Sequence, residues 1–133
     1  MSLQVKLQTV SSEYSNLQLE LSNIVEARQK LDAQLSENEL VDKEFAQLTP
    51  DNVVYKQIGP VLVKQEKEDA KKDIKGRLEF IAGEIKRVEA QLHDIQAKLE
   101  IKKKELVDIQ AALQQASTQE FPSPGVPLPS LGA

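Results

Sequence analysis

The chain has 133 residues, 4% aromatics, no tryptophan and a formal net charge of −4. So few large side chains cannot close a core of ordinary depth, which predicts one elongated domain with its apolar residues spread along a seam. The lack of cysteine excludes disulfides and thiolate sites and fits a reducing compartment, while the acidic balance disfavours a nucleic-acid arm, which needs a basic face against phosphates.

The first element is a long helix, about 3–48. Leu3, Val10, Leu17, Ile24, Leu31, Asn38 and Phe45 form one heptad column, and Leu7, Tyr14, Leu21, Arg28, Leu35 and Asp42 form the alternating one. Steps of four and three residues persist without a slip, the period of 3.5 that marks a coiled coil. The helix is stopped by Thr49-Pro50-Asp51-Asn52, because proline cannot continue the hydrogen-bond ladder and biases the residue before it away from helical angles.

A β-hairpin is predicted next, about 52–65. Val53–Ile58 and Val61–Lys64 are rich in β-branched residues, and Gly59-Pro60 between them supplies a bend. Gly-Pro is not among the most favoured two-residue turns, which leaves room for a loop wider than those two residues. Two strands alone can neither bury both faces nor satisfy their outer edges, so this block should be stable only when it joins strands from other chains.

The charged run Glu66–Asp73 opens a second helix, about 67–116, and reads as a solvated face with local ion pairs. Its columns are Ile74, Ile81, Val88, Ile95, Lys102, Ile109 and Ala116, and Leu78, Ile85, Leu92, Leu99, Leu106 and Leu113. Each heptad stretch covers about 43 residues, or about 65 Å at the helical rise. Equal lengths argue for an antiparallel two-helix coiled coil with the hairpin at its bend, Phe45 beside Ile74, Leu17 near Lys102 and Leu3 reaching Ala116. Segment 117–133 carries Pro122, Pro124, Pro127 and Pro129 among small residues and is expected to be a disordered tail; it matches polyproline ligands only weakly.

Polar residues interrupt the seam at Arg28, Asn38, Asp42 and Lys102, where they can fix register or let long side chains reach out to water. Off-seam apolar residues fall in two groups. Leu40, Val41, Leu48 and Phe80 lie near the hairpin and are expected to seal against the body of β-strands that the hairpin joins or against neighbouring subunits. Val5, Leu19, Ile101 and Val107 lie far from it, where they are either scattered surface residues or weak contacts for unfolded chains.

Nothing argues for catalysis, a metal or a cofactor. The single histidine, His93, lies four residues after Glu89 but has no second histidine or cysteine to share a metal with. The glycines form no phosphate-cradling loop. No segment reads as a signal peptide or a bilayer-crossing run, so the expected location is cytoplasmic, without a membrane partner.

Asn52-Val53-Val54-Tyr55-Lys56, Gly59-Pro60-Val61-Leu62-Val63-Lys64-Gln65, Arg77-Leu78-Glu79-Phe80-Ile81 and Glu84-Ile85-Lys86-Arg87-Val88-Glu89 together resemble a β-class prefoldin subunit. The likeness extends over about Leu3–Ala116, and a single hairpin between the helices fits the β rather than the α class. It implies an ATP-independent heterohexameric chaperone of two α-class and four β-class subunits, three of the latter besides this one, whose hairpins form an intersubunit β-barrel. Helical tentacles would hold unfolded clients such as actin and tubulin for delivery to the cytosolic group II chaperonin. On that resemblance Val53, Val54, Tyr55, Ile58, Val61, Leu62 and Val63 would serve assembly, and Val5, Leu7, Val10, Val107, Ile109 and Leu113 would be the nearest candidates for client contact at the tips. The charged Glu66–Asp73 run and the Pro-rich tail depart from the usual pattern. A coiled-coil spacer or tether of another scaffold shares the helical features and is the alternative reading.

Overall fold

The computed structural model describes residues 2–120, as α1 (Leu3–Ala46), β1 (Val54–Ile58), β2 (Val61–Gln65) and α2 (Lys67–Glu120). The described residues divide into two compact units, one of Asn23–Leu92 and one that joins residues 2–22 to residues 93–120.

In the Asn23–Leu92 unit, the two helices pack through the expected columns. Ile74, Ile81, Ile85 and Val88 of α2 are buried, and Ile24, Leu31, Leu35 and Phe45 of α1 are half-buried against them. Arg28 Nη1 lies 3.4 Å from Glu89 Oε1, which joins an early residue of α1 to a late one of α2 in this unit and so gives the antiparallel sense. A narrow two-helix seam leaves its flanks to water, and for that reason most seam residues stay partly exposed rather than reaching the burial of a globular core.

α1 stops two residues before the expected end. Gln47 and Leu48 donate only three residues back, to Glu44 and Phe45, the tightened pattern of a terminating helix. Thr49–Asn52 then closes as a turn: Asn52 N donates to the Thr49 carbonyl at 3.1 Å, and the Asn52 side-chain oxygen accepts from Thr49 N at 2.8 Å and from Thr49 Oγ1 at 3.0 Å. Lys67 Nζ donates to the same Thr49 carbonyl, so the exit from α1 is held to the first residue of α2.

The strands pair antiparallel with Val54 opposite Gln65 and Ile58 opposite Val61, which makes the loop a two-residue turn and no wider. Gly59 has φ +59°. A positive φ at the first central position followed by the fixed negative φ of proline is the sign pattern of a type II′ turn, and Gly-Pro satisfies it because glycine alone carries the positive angle without strain.

In the second unit Val10, Ile95 and Ile109 are buried, with Leu3, Leu7, Tyr14 and Leu17 of α1 half-buried. Ser2 caps α1, its Oγ accepting from Val5 N at 3.2 Å. Leu113 is half-buried but Ala116 is exposed, contrary to its expected seam role; α1 begins at Leu3 and supplies no further turn to cover it. α2 itself continues past residue 116 to Glu120, with Thr118 Oγ1 bonded to the Gln114 carbonyl, because the first residue that cannot extend a helix is Pro122. The rest of the expected tail, from residue 121, lies outside the described residues.

Candidate functional site

The hairpin carries the largest concentration of uncovered apolar side chains. Val53, Tyr55, Ile58, Val61, Leu62 and Val63 are all exposed, Leu62 at 65%, and only Val54 is half-buried. Alternation along the paired strands puts Val54, Ile58, Val61 and Val63 on one face, with Lys56 and Gln65, and Tyr55 and Leu62 on the other, with Gln57 and Lys64. Both faces therefore offer apolar groups, and both outer edges of the two-stranded sheet offer unpaired backbone donors and acceptors. The strands carry two lysines and no carboxylate.

The hairpin is anchored at its base. Gln65 Nε2 donates to Asp73 Oδ2 on α2 at 2.8 Å, and Lys56 Nζ lies 3.9 Å from the same oxygen. Beneath it, Val41, Phe45, Val54, Ala70 and Ile74 line a shared cleft of about 310 Å³. Of the apolar residues expected to seal this region, Val41 and Leu48 are half-buried, whereas Leu40 and Phe80 stand exposed at 60% and 68%.

Next to that anchor lies a groove of about 630 Å³ lined by Lys56, Lys72, Asp73, Gly76, Arg77 and Phe80 among others. Sequence reading did not assemble it. The available signal was Lys56, two residues from both Val54 and Ile58 and hence on the strand face directed at α2.

The tip candidates separate into three kinds. Val5 and Val107 are exposed, Leu7 and Leu113 are half-buried, and Val10 and Ile109 are buried within their own unit. Leu19 and Ile101 are exposed as well, and so is Val25, an apolar residue of α1 outside both columns.

Of the polar seam residues, Arg28, Asn38 and Lys102 each find a polar partner. Arg28 bonds Asp32 as well as Glu89, Asn38 Nδ2 donates to the Gln34 carbonyl at 2.7 Å, and Lys102 Nζ lies 3.0 Å from Glu13 Oε2 and 3.7 Å from Glu105 Oε1. The Glu13 side chain, accepting a hydrogen bond from the ammonium, holds Lys102 above the ordinary lysine value against partial desolvation, and Glu105 adds to the effect. Glu89 is thus engaged by Arg28, and His93 is exposed. No group of three metal-ligating side chains is gathered among the described residues, and none of their helices is long and apolar enough to cross a membrane.

Comparison with known proteins accords with this geometry. A family model described as "Prefoldin subunit" matches residues 8–116. Prefoldin subunit 6 of Homo sapiens is 43% identical over 123 residues, covering 92% of this chain and 95% of that protein. The subunit 6 of Saccharomyces cerevisiae is 43% identical over 100 residues, covering 75% and 88%. Among solved structures, the prefoldin beta subunit from Thermococcus strain KS-1 superposes with a TM-score of 0.71 at 28% identity, covering 81% of this chain and 92% of that one.

Proposed function

The chain belongs to the prefoldin family, and from that premise we propose that it is a β-class subunit of an ATP-independent, cytoplasmic heterohexameric co-chaperone. The observation that carries the reading is the hairpin, apolar on both faces and open at both edges yet anchored at its base through Asp73. Such a block is stabilised by adding strands from other subunits, the two α-class and three further β-class chains of the assembly, into a common barrel.

The helical pairs then act as holders. Exposed Val5 and Val107, flanked by half-buried Leu7 and Leu113, each present a small apolar contact, and Val10 and Ile109 support them from within the seam. No single contact of this size is strong. Several subunits acting together gain avidity through high effective concentration, which suits transient capture of unfolded chains, actin and tubulin among them, and their surrender to the cytosolic chaperonin. No nucleotide or metal enters this scheme.

Native mass spectrometry of the complex co-purified with the chain tests the assembly reading. A six-chain species that loses this subunit when Val54 and Val63 are changed to lysine is the expected result. A stable monomer, or a fixed scaffold indifferent to that change, would instead favour a coiled-coil tether.

A further inference from the structure

The groove beside the hairpin is basic in an acidic protein. Lys56, Lys72 and Arg77 line it against one carboxylate, Asp73, and that carboxylate is already engaged by Gln65 and Lys56. Among the described residues Lys72 and Arg77 form no ion pair, although the neighbouring Lys71 pairs with Glu68. Two further features mark the same place. Phe80, the most exposed large apolar residue of α2, stands at the groove. Gly76, on its lining, sits mid-helix where glycine weakens the helix relative to alanine, and an added methyl would meet nothing within 4 Å. Glycine is not required there by packing within the chain, but it leaves room for another backbone to approach.

We propose that this groove receives an acidic segment of a neighbouring, different subunit, with carboxylates on Lys72 and Arg77 and an apolar side chain on Phe80; the inference rests on the assembly reading above. Charge complementarity names the chemistry of the occupant, and continuity names its source. Lys56 belongs to β1 and lines the groove, so a strand added to the hairpin brings its own flanking residues to this surface. A second copy of this chain using the same face would set lysine and arginine against lysine and arginine, and an isologous contact repeats that conflict on both sides.

Zero-length carbodiimide coupling, which joins an amine to a carboxylate in contact, tests this on the intact co-purified complex. Peptide mapping is expected to find Lys72 coupled to an aspartate or glutamate of another subunit. In parallel, Lys72→Glu with Arg77→Glu should weaken retention of this chain by about fivefold to tenfold, with a flattened salt dependence. Gly76→Ala should raise the thermal midpoint of the isolated chain while weakening its retention, a pair of opposite signs that misfolding cannot produce. Coupling of Lys72 to a second copy of this chain, or retention unchanged by the charge reversal while the Val54→Lys, Val63→Lys variant is lost, overturns the groove proposal alone. Retention of both variants would overturn the assembly reading itself.

Discussion

Gln65, the last residue of β2, donates to Asp73 Oδ2 at 2.8 Å, and the same oxygen faces Lys56 of β1. One carboxylate on the second turn of α2 thus meets both strands, on the sheet face shared by Val54, Lys56 and Gln65. The arrangement aims a small sheet that has no core of its own. It leaves the apolar positions toward the turn uncovered.

Asp73→Ala should therefore loosen the hairpin rather than the helices. The lost contacts are a hydrogen bond and a partly exposed ion pair, worth together about 0.5–1.5 kcal/mol. Hydrogen exchange is expected to quicken at Val54–Ile58 and Val61–Gln65 while the amides around Ile81 and Val88 stay protected. Uniform acceleration would mean that Asp73 supports the helix instead.

A second contrast separates seam from surface. Ile81 is 5% exposed and Leu19 is 64% exposed. Ile81→Ala should cost about 2–4 kcal/mol, the transfer of the lost methylenes plus the cavity left in a seam with few neighbours to refill it. Leu19→Ala should change stability by less than about 0.5 kcal/mol. Denaturant titration of both variants gives the comparison, and equal costs would contradict the packing described here.

Those two positions also explain what was legible in the sequence. A 3.5-residue period specifies which side of a helix is covered, so Ile81 and Leu19 were separable from spacing alone. The hairpin followed from β-branched runs around Gly59-Pro60, but its two-residue loop did not, because the turn type depends on the sign of φ at Gly59. Ala116 continued the pattern in sequence but not in packing, since coverage depends on where the other helix begins. The groove at Lys56, Lys72 and Arg77 was only partly legible for a related reason: alternation marks the strand face of Lys56, but the groove is made by the approach of a strand to a helix, and no spacing within either element encodes that distance.

Lys102 gives a pH dependence with a definite sign. Its ammonium is favoured in the folded chain by the hydrogen bond to Glu13, so its pKa lies above the ordinary lysine value of 10.5. A raised folded pKa contributes stability that is complete below the unfolded value and is lost as the pH rises through the folded one. Relative to Lys102→Met, which fits the seam but cannot pair, the wild type should lose stability as the pH rises past the ordinary lysine value of 10.5. Thermal midpoints of the two proteins on either side of that value provide the test, because other titrating groups are common to both and cancel. A difference that stays constant would remove the Glu13 contact from the folded state.

The proposed holding of unfolded chains can be tested at the tip residues. Val5 and Val107 are exposed, whereas Val10 and Ile109 are buried, so the two pairs should fail differently when made polar. Val5→Ser with Val107→Ser removes apolar surface without opening the seam, and the assembled complex should keep its mass and thermal midpoint while suppressing aggregation of a denatured client less effectively. Val10→Ser with Ile109→Ser opens cavities in the packed unit and should lower the midpoint first, since truncating a buried aliphatic side chain costs about 2–4 kcal/mol. Light scattering of diluted, denatured actin, read beside native mass spectrometry, distinguishes the two. Undiminished holding by the Val5, Val107 variant would move the client surface elsewhere, to exposed residues such as Leu19 and Ile101 in the same unit.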